Sequence, residues 1–231
     1  MKISIMQPYL FPSLAYWQLF RASDKFVILD DVNYIKRGWI NRNRVVIAGG
    51  DHLFTAPVAQ ASQNRLIKYM EFADDKWKSK LATTLNKSYA RTPFFKSASA
   101  LVDECLGCQE KNVSKFILNS FRLINAYMGT EVDIVESSSI YNSPHTGHKR
   151  IVDICAKEKS SCYINSIGGK LLYSADMFTG NGMELKFLKS DCLQYKQNSE
   201  TFIPNLSIID VIMNNSKEDV NIMLNQYQLI D

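Results

Sequence analysis

The stretch KISIMQPYLFPSLAYWQLFRASDKFVILDD, residues 2–31, decides the fold. Lys2 to Met6 is a short apolar run of the kind found in a buried strand, and the two prolines of Gln7-Pro8-Tyr9-Leu10-Phe11-Pro12 forbid helix until about Ser13. A helix is expected over residues 13–21. A second apolar run at residues 26–29, closed by Asp30-Asp31, has the character of a strand inside a parallel sheet covered on both faces. Strand, helix, strand reads as a βαβ unit.

Working outward, residues 45–48 and 52–56 flank Gly49-Gly50-Asp51, a spacing that suits a hairpin with positive φ in its turn. The middle of the chain is helical: Asp74 can cap a helix running to about Ala90. Asn112 can cap another, whose apolar Phe116, Ile117, Phe121, Ile124 and Met128 recur at helical spacing. This insert, residues 74–128, is expected to cover the sheet. Alternation then resumes, with strands at 132–135, 162–165 and 184–188 around a helix at 149–159, and Ser207 and Ser216 opening two short helices. The reading is one α/β domain over residues 1–231, an open, mostly parallel sheet flanked by helices. Ligands in such sheets bind outside the carboxyl ends of the strands. The loops at 7–12, 30–43, 137–148 and 166–169 therefore become the candidates.

With 231 residues, 46% of them hydrophobic and 22% charged, the chain has the composition of a folded protein. Five widely spaced cysteines, and an opening strand in place of a basic segment leading into a long apolar run, fit a reduced, cytoplasmic protein. No window approaches the ~20 apolar residues of a transmembrane segment. A net charge of +4 spread along the chain favours an anionic small molecule over stable nucleic-acid binding. The aromatic residues of the helical middle leave room for a homodimer.

The densest polar segment runs from Asp30 to Arg44, directly after the second strand. Asp30 and Asp31 can accept from an amine or a sugar hydroxyl; Lys36, Arg37 and Arg42 can neutralise phosphate; Asn41 and Asn43 can add hydrogen bonds; Tyr34 or Trp39 can stack on a base or sugar. The plainer reading is a surface loop whose acids and bases pair with each other.

The opening MQPYLFP (6–12) and FVILDDVNYIKRGWINRN (26–43) resemble the WbqC-like family of bacterial proteins. The likeness continues through RIVDIC (150–155), Tyr163 with Gly168-Gly169 and Tyr173, and Tyr195, Gln197 and FIPNLSIID (202–210), nearly end to end. The resemblance implies a place among enzymes of surface polysaccharide and O-antigen synthesis. It also implies an acyl or aminoacyl transfer, glycyl transfer among them, to an amino sugar carried on a nucleotide. Such a reaction needs a base for the ammonium proton, donors for the oxyanion and cations for the diphosphate. Asp30 or Asp31, or else His145 or His148, are the candidate bases; Gln7 and Tyr9 join the expected binding set. The acyl donor stays open among a coenzyme A thioester, a formyl carrier, aminoacyl-tRNA, and a free acid with ATP. A sugar-nucleotide-binding protein without turnover is the third reading.

His145-Thr146-Gly147-His148 copies the HxGH core of nucleotidylyltransferases at an expected helix start, which keeps nucleotidyl transfer, or an ATP-dependent amide ligase, as the rival activity. Cys105-Leu106-Gly107-Cys108 has the spacing of a metal half-site but lacks a second pair, so no metal is expected. Cys155, Cys162 and Cys192 read as small core residues. Gly168-Gly169 can let backbone amides approach a phosphate, or can form a plain turn with positive φ, and Tyr173 beside them is either a binding or a packing residue. Asp210 reads as a capping acid three positions into the helix that Ser207 opens.

Overall fold

The structure, a computed structural model, describes residues 1–191 and 194–231. Six strands form one sheet in the spatial order β5-β2-β1-β6-β7-β8: β1 (Lys2–Met6), β2 (Lys25–Ile28), β5 (Asp133–Val135), β6 (Cys162–Ser166), β7 (Glu184–Ser190) and β8 (Tyr227–Ile230). Every neighbouring pair is parallel except β7 with β8. The alternation of side chains along each strand feeds two cores. Phe26, Ile28, Ile164 and Leu188 face one, and Ile3, Ile5, Val27, Tyr163 and Phe187 face the other, as expected of a sheet covered on both sides.

The helix α1 (Leu14–Ala22) packs into the first core, where Phe20 stacks on Phe26 at 3.8 Å. The insert supplies α2 (Lys76–Tyr89), α3 (Phe95–Gly107) and α4 (Val113–Met128) to that same side, and α4 packs onto α1 through Phe121, edge-on to Phe20 at 5.2 Å. Asn112 caps α4 by accepting from the Lys115 amide, and Gly129 ends it at φ 65°, where a side chain is strained. On the opposite face lie α5 (Gly147–Lys157) and α6 (Asp176–Thr179). The helices α7 (Ile208–Asn214) and α8 (Lys217–Leu224) complete the first layer; α8 opens with a capping box between Ser216 and Asp219.

Four expectations change. First, β3 (Arg42–Ile47) and β4 (Gly50–Thr55) form a separate two-stranded ribbon that starts at Arg42, so residues 42–44 are strand and not loop; Asn43 and Val45 are buried while Arg42 and Arg44 lie on the other face. Second, the positive φ angles of its turn fall at Ala48 and Gly49, and Gly50 already belongs to β4. Third, Asp210 caps nothing: Ser207 alone caps α7, and the Asp210 carboxylate accepts from the Tyr89 and Tyr195 hydroxyls at 2.6 Å each. Fourth, Gly168 and Gly169 do not sit at positive φ; Gly169 is required by close approach, since a Cβ there would meet Asn165 Nδ2 at 2.7 Å. Cys155 and Cys162 are buried and free, whereas Cys192 lies outside the described residues. No described helix is long and apolar enough to cross a membrane.

Candidate functional site

From β1 the chain passes to a helix on one face of the sheet, and from β6 to a helix on the other. The strand order reverses between these two neighbours, and the divergence of their connections leaves a crevice at their carboxyl ends. A cavity of about 360 Å³ occupies it, within the ordinary size range of small-molecule sites. Met6, Tyr9, Ser13 and Tyr16 line it from the β1–α1 segment, Trp39, Asn43 and Arg44 from the β3 side, Ser166 from the end of β6, and Asn205 from the approach to α7.

The β1–α1 loop is held in one shape. Tyr16 Oη donates to the Gln7 carbonyl at 2.7 Å, Trp17 Nε1 to the Pro12 carbonyl at 3.1 Å, and the Leu10 amide to the Trp39 carbonyl at 3.0 Å. Phe11 is buried at φ 44°, a left-handed conformation unfavourable for a bulky residue, and its carbonyl accepts from Asn43 Nδ2 at 2.8 Å and Ser207 Oγ at 2.7 Å. Asn43 Nδ2 also reaches the Leu10 carbonyl at 3.0 Å. The strain is thus over-determined by its surroundings, and the cavity wall is pre-organised.

Arg42 and Arg44, two positions apart on β3, set their guanidinium carbons 5.8 and 5.9 Å from the Trp39 ring centroid. Arg42 is steadied by the Gly38 carbonyl at 3.0 Å and by that of Arg37. Arg44 pairs with Asp51 at 2.6 Å and donates to the Pro204 carbonyl at 3.1 Å, which draws the loop before α7 against the cavity. The first turn of α1 lines the same space, and its N-cap Ser13 spends no side-chain bond on the helix. Burial pushes the Tyr9 and Tyr16 phenols up, so both stay neutral hydroxyls. The wall offers aromatic surface for a planar ring and the Arg44 guanidinium, which is shared with Asp51, while Arg42 stands against the Trp39 ring without lining the cavity itself.

Of the residues expected from the sequence, Tyr9, Trp39 and Asn43 meet at this cavity, with Arg42 against Trp39. Gln7 is half-buried at the start of the loop, and Lys36 and Arg37 are exposed beyond Trp39. Tyr34 and Asn41 are spent internally: the Tyr34 hydroxyl donates to Asn41 Oδ1 at 2.8 Å, and Asn41 Nδ2 donates to the Ala56 carbonyl at 2.8 Å. Asp30 is buried and accepts from Ser137 at 2.6 Å and Ser114 at 3.2 Å; burial raises its pKa, and the two hydroxyls pull it partly back. Asp31 pairs with Arg150 and accepts from Ser138. His145 and His148 are exposed at the start of α5 and line a different depression, of about 420 Å³, with Lys149 and Asp153. Gly168 and Gly169 lie in a 3-10 turn just past Ser166, and Tyr173 packs edge-on to Tyr163 at 5.6 Å in the core of the opposite face. Cys105 is buried at the end of α3, where burial pushes its thiol up to about 12, so it is protonated at neutral pH.

Arg44, Ser166 and Asn205 are the lining residues that sequence reasoning underweighted. The alternation of β3, once its start is placed at Arg42, puts Arg44 on the same face and was the available signal; nothing local marks Asn205, which its long-range contacts bring in.

A family model described as the WbqC-like protein family matches residues 7–222. Over 223 residues the chain is 28% identical to the protein printed as "Uncharacterized protein Rv1507c" of Mycobacterium tuberculosis (strain ATCC 25618 / H37Rv), covering 92% of this chain and 93% of that one. No solved structure matches.

Proposed function

The chain belongs to the WbqC-like protein family, and from that premise we propose that it binds a nucleotide-linked amino sugar in the cavity between β1 and β6 and serves acyl or aminoacyl transfer to the sugar's amine, glycyl transfer included, in the making of surface polysaccharide. The observation that carries the binding half is the position of the cavity at the reversal of strand order, with the Trp39 ring beside two guanidinium groups and the first turn of α1. A base or sugar ring stacks on the aromatic surface, and the diphosphate takes the cations and helix amides. The transfer half is supported by kinship to the family.

Among the described residues that line this cavity there is no carboxylate and no imidazole. That favours, as the second reading, a sugar-nucleotide-binding protein of the same pathway without turnover. The test joins a thermal-shift screen of nucleotides, sugar nucleotides and coenzyme A to titration calorimetry and mass spectrometry of the products. A ligand at 100 times its Kd adds about 2.7 kcal/mol to the native state, a clear shift in melting temperature. Binding of a sugar nucleotide with an acylated product supports transfer, and binding without product supports the second reading. Failure of every sugar nucleotide to bind sinks both. Pyrophosphate release with ATP or CTP points instead to nucleotidyl transfer.

A further inference from the structure

The cavity does not end at its own walls. It shares Ser13, Ala15 and Asn205 with a smaller pocket of about 70 Å³ beyond the carboxyl end of β7, whose other walls include Ser190, Asp191, Tyr195 and Phe202. Asp191 follows the last residue of β7 directly, on the side of the sheet where ligands enter, and is the charged group among this pocket's described walls. Its backbone is fixed by its amide, which donates to the Gln226 carbonyl at 3.2 Å, and its Oδ1 accepts from Gln228 Nε2 at 3.3 Å. Tyr195 and Phe202 meet edge to face at 5.5 Å and make the apolar part of the wall, while the Tyr195 hydroxyl is spent on Asp210 at 2.6 Å. A carboxylate beside aromatic surface is the chemistry that receives an ammonium group. The pocket is much smaller than the cavity it adjoins, which suits a substituent of a ligand held in the larger space.

We propose that Asp191 forms an ammonium subsite that continues the larger cavity, so that one ligand places its phosphates toward Trp39, Arg42 and Arg44 and its primary amine against the Asp191 carboxylate. This rests on the sugar-nucleotide reading above and deepens it by naming the group that receives the sugar's free, cationic nitrogen. Asp191 acts here through binding and orientation, and no local pattern marks it, since the residues that join its pocket to the cavity come from the start of α1 and the loop before α7.

The experiment is calorimetric titration of the full chain with UDP- and dTDP-linked glucosamine, with the matching glucose nucleotides, and with the matching N-acetylglucosamine nucleotides. One charge-assisted hydrogen bond is worth about a tenfold to hundredfold change in Kd, so the wild type should bind the free-amine sugar about tenfold or more tightly than the glucose form. Acetylation removes the positive charge and should erase that preference. In Asp191→Asn, which keeps an acceptor for Gln228, the amine and glucose forms should bind alike, with the glucose affinity held. Asp191→Glu should restore part of the preference. A wild type that does not distinguish amine from hydroxyl, or a preference that survives Asp191→Asn, overturns the subsite and leaves the larger cavity's reading intact. Binding of none of the six nucleotides overturns both.

Discussion

The Asp31 carboxylate and the Arg150 guanidinium form an ion pair across 119 positions of the chain, with each side chain only 10% exposed. The pair ties the loop after β2 to α5, and Ser138 donates to the same carboxylate. A group held this way is committed to joining the end of a strand to the helix packed over it. Removing one member leaves the other charge buried without a partner, which costs about 3–5 kcal/mol. Arg150→Leu is therefore expected to shift the urea midpoint strongly downward. Combining it with Asp31→Asn should recover at least half of the loss, because the buried charge goes with its partner. A double variant no better than the single one would show that Arg150 acts through its bonds to the Ser138 and Ser143 carbonyls instead.

Asn43 is expected to matter for the shape of the cavity more than for direct contact with a ligand. Its side-chain nitrogen serves two carbonyls of the β1–α1 loop, and its oxygen accepts from the Arg44 amide at 2.8 Å. Replacement by Ala leaves the buried Leu10 carbonyl without this donor, at a cost of about 1–3 kcal/mol. It also removes one of the two side-chain donors that hold Phe11 at positive φ. Thermal unfolding should fall accordingly, and nucleotide affinity should fall with it as the loop loosens; a stable variant with full affinity would contradict the role.

The first two strands were legible because residues 26–29 are an unbroken apolar run and residues 2–6 are mostly apolar with only the small Ser4 inside, a pattern that the two-sided burial of a parallel sheet demands. The start of β3 was hidden because Arg42, Asn43 and Arg44 are polar on both faces: the inward Asn43 is buried to bond a neighbouring loop, and composition alone reads that as loop. β8 escaped notice for a related reason. Its four residues are half exposed at the sheet edge and gain their identity from pairing with β7. The cavity lies between these cases. Tyr9 and Trp39 announce themselves as aromatics in polar loops after strands, and Ser166 opens a loop marked by the same rule, whereas Asn205 arrives from far along the chain and is assigned only once the fold is known.

The buried Asp210 makes stability depend on pH in a stated direction. Burial raises its pKa above the ordinary carboxylate value, and the Tyr195, Tyr89 and Gln197 side chains pull it partly back. The unfolded chain releases this proton near pH 3.9, about the usual value, and the native chain releases it later, so between the two the native state holds more protons. The contribution is full below about pH 4 and is lost as the pH rises through the folded value. Asp30, also raised by burial, acts in the same sense. Asp210→Asn should therefore flatten the fall of the urea midpoint as the pH rises above about 4, relative to wild type. An unaltered slope would mean that the carboxylate titrates in the folded state as it does in the unfolded one.

Trp39 and Arg42 give the most direct reading of the cavity. Trp39 is 41% exposed, so its ring is not a core residue, and Trp39→Ala should leave the melting temperature nearly unchanged while removing the surface on which a base or sugar stacks. Stacking on an aromatic side chain is worth about 1–3 kcal/mol by alanine substitution in nucleic-acid complexes, which predicts a loss of roughly five- to over a hundredfold in sugar-nucleotide affinity. Arg42→Ala should weaken binding with a marked salt dependence, because it removes a cation facing the diphosphate, and Arg42→Lys should restore only part of it, since an ammonium lacks the planar fork. Its bond to the Arg37 carbonyl is exposed and that to the Gly38 carbonyl only partly buried, so the cost to folding is small. Calorimetry of both variants against UDP-glucosamine and UDP separates the two contributions: the tryptophan loss should persist at high salt and the arginine loss should shrink. Folded variants that bind as well as wild type would move the ligand away from this side of the cavity.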